Sequence, residues 1–283
     1  MQQLIIVTGL SGSGKTIALQ VMEDSGYYCV DNLPATLLTQ LVTHLKHTEP
    51  CERVAISIDS RSVSVEVLPA CLASLRALNV VAQVLFLDAN TETLVKRFSE
   101  TRRKHPLSKT NSTLIESITH ERRLLENLRV GAYIVDTSQI SASMLKRWVK
   151  DILMLSPNAL TLVFVSFGFK HGLPLDADMV FDARCLPNPH YDLHLRPLTG
   201  QDQAVQAFMR QQAEVTEMQQ DIQHYIAKWL SCFITDNRSY LTIAIGCTGG
   251  HHRSVYLVDA LAQYFSKQNN VLIRHRELNE EHS

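Results

Sequence analysis

Residues Gly9 to Thr16 read GLSGSGKT, which fits the pattern G-x-x-x-x-G-K-[ST] at every fixed position and stands between an apolar run and a helix-period segment. That spacing builds a cradle for phosphate. The glycines let the backbone of Leu10, Ser11, Gly12, Ser13 and Gly14 present its amides to phosphate oxygens, and the helix start adds positive potential. Lys15 reaches the outer phosphates of a nucleotide, and Thr16 offers a hydroxyl to Mg2+. A site of this kind takes a second magnesium contact from an acid at the end of another strand. Asp59, after the run VAISI, is the first candidate, with Asp88 and Asp31 behind it; each could equally cap the loop that follows its strand.

A second phosphate-like signal lies near the other end, where Ile243 to Val255 reads IAIGCTGGHHRSV. Cys247 and Arg253 are separated by five residues with a serine next, the C-x5-R-[ST] spacing of the phosphate-binding loop of protein tyrosine phosphatases. In such a loop a thiolate attacks phosphorus while amides and the arginine hold the equatorial oxygens. Cys247, Thr248, Gly249, Gly250, His252, Arg253 and Ser254, with His190 from PNPH, are therefore the candidate ligands of a phosphate or phosphosugar. A leaving-group acid would come from Asp182, Asp192 or His190, none singled out by spacing. Beside a complete P-loop, the favoured reading is phosphate binding without cysteine chemistry, with Cys247 a small residue at a strand end. His251 and His252 lack a third partner at ligand spacing, so a phosphate contact or a surface position is expected of them rather than a metal. Asp176, Asp178 and Asp182 are expected in turns and caps.

The stretch RFSETRRKHPLS places Arg97, Arg102, Arg103 and Lys104 on or just after a helix. Such cations act as a basic lid over phosphates in small P-loop kinases, or they simply complement a helix C-terminus.

Elements to carry these residues follow from periodicity. LIIVTG, YYCVD, RVAISID, VVAQVLFLD and AYIVDTS read as strands separated by helices such as Lys15 to Ser25 and Pro34 to Lys46. This predicts an α/β class domain, a doubly wound parallel sheet covered on both faces. The segment MLSPNA is the linker candidate, giving domains 1–155 and 156–283. The second, smaller α/β domain is predicted to hold the strand LTLVFVSFGF, the loop CLPNPHYDLHLRPLTG, a helical region over Gln203 to Phe233, the strand YLTIAIG, a helix over Ser254 to Lys267 and the strand NVLIRHR. With 27 basic against 28 acidic residues and a formal charge of −1, no global field drives the chain onto nucleic acid or membrane. No apolar run approaches the roughly 20 residues of a membrane span, no signal peptide is read at the N-terminus, and six scattered cysteines suggest neither disulfides nor zinc. A cytoplasmic protein is expected.

Taken together, GLSGSGKT, GYYCVDNLP, SIDSRS, TRRKHPLS, SFGFKHGLPLDADMVFDARCLPNPH, LRPLTG and NRSYLTIAIGCTGGHHRSV resemble the RapZ/YvcJ family over nearly the whole chain. The resemblance implies a P-loop kinase-like domain that binds ATP and GTP with Mg2+ and hydrolyses both weakly. It places a second nucleotide motif on Asp59, Ser60, Arg61 and Ser62. It implies a C-terminal domain that, in enterobacterial members, binds glucosamine-6-phosphate and small regulatory RNAs and presents the RNA to an endoribonuclease, in a homo-oligomer. Here the tail VLIRHRELNEEHS ends in acids where those members carry a basic cluster, which weakens the expected RNA affinity. The cations left for RNA are Lys170, Arg184, Arg196, Arg253, Arg274 and Arg276. A small-molecule kinase is the other alternative; it would need a base near VDNLP, where Asp31 stands.

Overall fold

Leu4, Ile5, Ile6 and Val7 are each at most 1% exposed, and a run so apolar belongs at the centre of a sheet covered on both faces. It lies there in the computed structural model, which describes residues 3–47, 51–60, 65–108, 112–154, 160–235, 238 and 240–278. The chain divides into two units, Met1–Pro157 and Asn158–Ser283.

In the first unit the order is β1 (Gln3–Gly9), α1 (Lys15–Asp24), β2 (Tyr28–Val30), α2 (Leu38–His47), β3 (Arg53–Ser57), α3 (Leu68–Ala77), β4 (Ala82–Asp88), α4 (Thr91–Thr101), α5 (Leu114–Leu125), β5 (Tyr133–Asp136) and α6 (Ala142–Leu153). The strands form one parallel sheet in the order β2-β3-β1-β4-β5. The chain steps from β1 to one side and then crosses back to the other. Right-handed crossovers in opposite directions put helices on both faces and open a crevice at the C-terminal end of β1, where open α/β sheets bind ligands.

Gly9 ends β1, and only glycine fits there. A Cβ would lie 2.0 Å from the Leu87 carbonyl oxygen on β4, and the residue has φ +127°. Asp88, closing β4, is fully buried; it accepts from the Ala89 amide at 2.8 Å and pairs with Arg122 at 2.8 Å and with Arg129. Asp88→Asn would leave two guanidiniums facing a neutral amide. They are 35% and 25% exposed, so the expected loss is about 3 kcal/mol, the low end for a broken buried pair, read by urea denaturation. A loss near zero would mean that water solvates both arginines.

The second unit comprises β6 (Thr161–Gly168), β7 (Met179–Asp182), α7 (Gln203–Arg210), α8 (Ala213–Thr235), β8 (Tyr240–Cys247), α9 (Arg253–Phe265) and β9 (Asn270–His275). Its sheet is parallel, in the order β7-β8-β6-β9, over a core containing Phe164, Ile243, Leu257 and Leu261.

Three expectations change here. β7 was not foreseen: its apolar run, Met179, Val180 and Phe181, is only three residues long and forms a half-exposed edge strand ending in Asp182. The helical region expected over Gln203 to Phe233 divides into two helices. Val205 and Met209 are buried on the first and Val215, Ile222 and Ile226 on the second; the six-residue step from Met209 to Val215 is about 240° round a straight helix, so one straight helix could not bury both sets. The strand expected to close on Asp59 ends at Ser57, leaving Asp59 in the following loop. Met154 caps α6, while the rest of the linker candidate up to Ala159 lies outside the described residues.

Candidate functional site

The loop from β1 to α1 has the backbone its glycines predict. Gly12 and Gly14 take φ +85° and +105°, which bends the chain back on itself before the helix starts. The Lys15 ammonium donates to the carbonyls of Gly9 and Leu10 at 2.8 and 3.0 Å, so the lysine lies folded against the loop it would share with a phosphate. Thr16 is exposed on the first turn of α1. The Ser13 hydroxyl is buried without a hydrogen-bond partner, a donor that a bound phosphate oxygen would satisfy.

Asp59 is 2% exposed, and its loop leaves β3, the strand beside β1, with the Ile58 amide donating to the Val7 carbonyl at 3.0 Å. The exposed Thr16 hydroxyl and the Asp59 carboxylate are both hard oxygen ligands, a donor set that suits Mg2+ with waters. Asp88 is committed to its two arginines, and Asp31 is exposed beyond β2, at the far edge of the sheet. Arg61 and Ser62 lie outside the described residues.

The residue that binds this site together carries no motif. Glu121, on α5, is fully buried, and its two oxygens take four donors: the Ser11 amide at 2.9 Å, the Ser11 hydroxyl at 2.7 Å, the Ser60 hydroxyl, and His105 Nε2 at 3.1 Å. Burial by itself raises the Glu121 carboxyl, but bonds from His105 and Ser60, the Lys15 ammonium and the Ser11 amide overcome it and hold the pKa at about 2. A carboxylate depressed in the fold stabilises it fully above the unfolded pKa of about 4.3 and loses that contribution, on the order of 3 kcal/mol, as pH falls toward 2. Thermal melts of wild type and Glu121→Gln should therefore converge as pH drops below about 4. Curves that stay parallel would show that the Glu121 pKa is the same in the folded and unfolded chain.

Of the proposed lid cations, Arg97 bonds the Gly12 carbonyl at 3.1 Å and the Thr137 hydroxyl at 3.0 Å. It thus braces the P-loop from α4. Arg102, Arg103 and Lys104 are exposed.

In the second unit, the loop after β8 opens into a cavity of about 930 Å3 whose lining includes His190, Cys247, Thr248, Gly249, His252 and Arg253. Six of the eight candidate residues thus meet. Gly250 and Ser254 lie beneath: the Gly250 amide donates to Cys247 Sγ at 3.2 Å, and Ser254 Oγ is 3.2 Å from the same sulfur. Gly250 has φ +81°, and a Cβ there would meet Glu277 Oε2 at 2.4 Å. Arg253, 4% exposed, donates through Nη1 to the carbonyls of Arg184 and Leu186 at 2.8 and 3.0 Å, while its Nε is buried without a partner. His190 and His252 face each other with ring centroids 6.3 Å apart. Burial, aided by the Lys170 ammonium, keeps His251 below its usual pKa; burial, aided by His190, does the same for His252.

Lys170 and Glu277 also line this cavity, and neither was among the sequence candidates for it. Glu277 Oε2 is buried without a hydrogen-bond partner. The acids considered for phosphatase chemistry are elsewhere engaged: Asp182 holds Arg184 at 2.6 Å, and Asp192 accepts the His194 amide at 2.8 Å. Ser166, His275 and Asp259 form a hydrogen-bonded row, at 2.9 and 3.0 Å, that imitates a hydrolase triad. Ser166 is fully buried within β6, so its hydroxyl has no access to a substrate. Of the six cations proposed for RNA, Arg253, Arg274 and Arg276 are buried at 5% exposure or less, and only Lys170, Arg184 and Arg196 are exposed.

Comparison with known proteins bears on both units. Residues 2–156 match the family described as the RapZ-like N-terminal domain, and residues 160–279 match the RapZ C-terminal domain. A nucleotide-binding protein of Methylobacillus flagellatus is 59% identical over 277 residues, covering 98% of this chain and 99% of that one. Nucleotide-binding proteins of Thiobacillus denitrificans and Chromobacterium violaceum are 53% and 52% identical, covering 98% of this chain with 99% of the first and 99% with 100% of the second. Among solved structures, shikimate kinase of Bacteroides thetaiotaomicron aligns at 15% identity with a TM-score of 0.38, covering 54% of this chain and 99% of that one. No helix among the described residues is long and apolar enough to cross a membrane.

Proposed function

The chain belongs to the RapZ family of nucleotide-binding proteins, and from that premise we propose that it is a cytoplasmic regulator with two anion sites of different purpose. The first unit binds ATP and GTP with Mg2+ through Gly9 to Thr16 and Asp59, and turns them over slowly. The observation that carries this reading is Lys15, folded onto the Gly9 and Leu10 carbonyls within a loop of left-handed glycines. Thr16 and Asp59 would hold Mg2+, which would supply neutralisation of phosphate charge; Lys15 and the loop amides orient the phosphates, and Arg97 keeps the loop in shape.

The second unit senses a phosphorylated metabolite. Thr248, Gly249, Lys170 and Arg253 supply the amides and cations a phosphate needs, and the orphaned donor Arg253 Nε is satisfied by such a ligand. Glu277, paired with Arg276 at 2.9 Å, brings a carboxylate to the lining of the same cavity, which favours a ligand that also carries a cation. Glucosamine-6-phosphate meets both requirements, whereas glucose-6-phosphate meets only the first. Isothermal titration with both sugars tests this: equal affinity for the two, or no binding of either, would remove the amino sugar from the reading.

The adapter reading, in which the chain carries small RNA to an endoribonuclease, keeps only the exposed Lys170, Arg184 and Arg196 from its set of cations. The kinase reading leaves its base, Asp31, beyond β2 with β3 between that strand and β1. Nucleotide binding coupled to metabolite sensing therefore stands first.

A further inference from the structure

Three segments of the first unit end at one carboxylate. Ser11 comes from the P-loop, Ser60 from the loop that carries Asp59, and His105 from the segment that follows Arg102, Arg103 and Lys104. These are the phosphate cradle, the magnesium loop and the free cations of the proposed nucleotide site. An ionised carboxylate accepts about four hydrogen bonds, so Glu121 is saturated by them.

The His105 bond has a defined direction. The Leu107 amide donates to His105 Nδ1 at 3.2 Å, so that nitrogen carries the lone pair. Nε2 then carries the hydrogen and donates to Glu121 as a neutral imidazole. The His105 ring packs on Phe98 with centroids 5.2 Å apart, and Phe98 in turn lies beside Gly12, where a Cβ would be 3.4 Å from its ring. A closed circuit runs from Gly12 through Phe98, His105 and Glu121 to Ser11. Arg102 ends α4 with φ +51°, which turns the chain sharply into this circuit. The three cations stand one to three residues before His105, a span of at most about 10 Å along the chain.

We infer that Glu121 is a positioning residue that fixes the basic segment 102–104 and Ser60 against the P-loop, so that the protein distinguishes a nucleoside triphosphate from the diphosphate. The inference rests on the nucleotide reading of the P-loop. The loop amides that the fold leaves over, since those of Leu10, Ser11 and Ser13 donate to Leu87, Glu121 and Leu10, would contact the inner phosphates, present in both ligands; the basic segment adds cations that only a terminal phosphate needs. A carboxylate that merely stabilised the fold would affect both ligands alike.

The test is a set of dissociation constants for ATP and ADP with Mg2+, by titration calorimetry, for wild type, Lys15→Ala, Glu121→Gln and His105→Leu. In His105→Leu, which leaves the Ser11 bonds intact, ATP should bind about tenfold more weakly and ADP within about twofold of wild type; Glu121→Gln also releases Ser11 of the P-loop, so it should weaken both nucleotides, ATP the more. Removing the Glu121 charge favours anions, the more highly charged ATP most, so a fall in ATP preference is not a trivial charge effect. His105→Leu breaks the tether with the carboxylate intact and serves if Glu121→Gln does not fold. Wild type alone gives a third measurement: trypsin cleavage after Arg102, Arg103 and Lys104 should slow with ATP and not with ADP.

Equal weakening of both nucleotides, no weakening in either variant, or equal protection by ATP and ADP overturns the inference. ATP affinity that survives Lys15→Ala overturns the P-loop reading instead, and this inference with it.

Discussion

Lys15→Ala is expected to weaken ATP and GTP binding by at least about 100-fold, some 2.7 kcal/mol, while leaving the first unit folded. Without nucleotide the ammonium bonds the Gly9 and Leu10 carbonyls at 2.8 and 3.0 Å. Its removal costs the fold two charge-assisted bonds in a half-buried place, about 1–2 kcal/mol after the carbonyls find water. The loss on binding is larger, because a lysine against phosphate oxygens forms charge-assisted bonds in a site drained of water. Fluorescent-nucleotide titration beside a thermal melt separates the two effects. Retained affinity with an unchanged melt would move the nucleotide away from Gly9 to Thr16.

The second large effect is expected at Arg253. Arg253→Ala should abolish measurable phosphosugar binding, a loss of about 100-fold or more, and leave ATP binding untouched. Arg253 is also structural: its Nη1 holds the carbonyls of Arg184 and Leu186. Alanine could therefore remove the ligand's partner and loosen the loop at once. Arg253→Lys keeps a charge but loses the planar fork, and Thr248→Val removes a hydroxyl from the cavity lining without touching those carbonyls. The graded order wild type, Thr248→Val, Arg253→Lys, Arg253→Ala in affinity is expected from calorimetry. A phosphosugar that binds Arg253→Ala as it binds wild type would place its site outside this cavity.

The phosphate loops were legible because they depend on backbone, and backbone requirements write themselves as glycine. Gly9 must pass within touching distance of Leu87, and Gly250 must clear Glu277; both stand in motifs for those reasons. The parallel strands were legible through unbroken apolar runs such as LIIV. Glu121 was not, because nothing in THERRLL marks one glutamate as buried. Its only trace is position: Ile118, Glu121 and Leu125 share one helix face, and an acid on an apolar stripe is a signal of a buried partner. Glu277 was read as one of several tail acids, since the bend that turns it inward follows β9 and depends on Arg276 bonding the Gly172 carbonyl at 2.6 Å. Arg276 was read as a surface cation for the same reason, and Arg274 because its burial depends on which face of β9 meets the core. The break between α7 and α8 is a product of tertiary packing, with no glycine or proline to mark it, and edge strand β7, though flanked by Gly172, Pro174 and Pro187, is only four residues long.

The strand order of the second unit sets a timetable for synthesis. β6 is the first strand of that sheet to be made, yet it lies between β8 and β9, the last two. At about 5–20 residues per second, the stretch from Asn158 to Ser283 occupies the ribosome for about 6–25 s. For that interval β6, buried at all eight positions in the finished sheet, emerges with both edges bare, while every strand and helix of the first unit has already been made. The proposed nucleotide site is thus made before the proposed metabolite site. A chain that stalls before Asn270 would carry an apolar strand lacking its β9 partner, open to pairing with its neighbours.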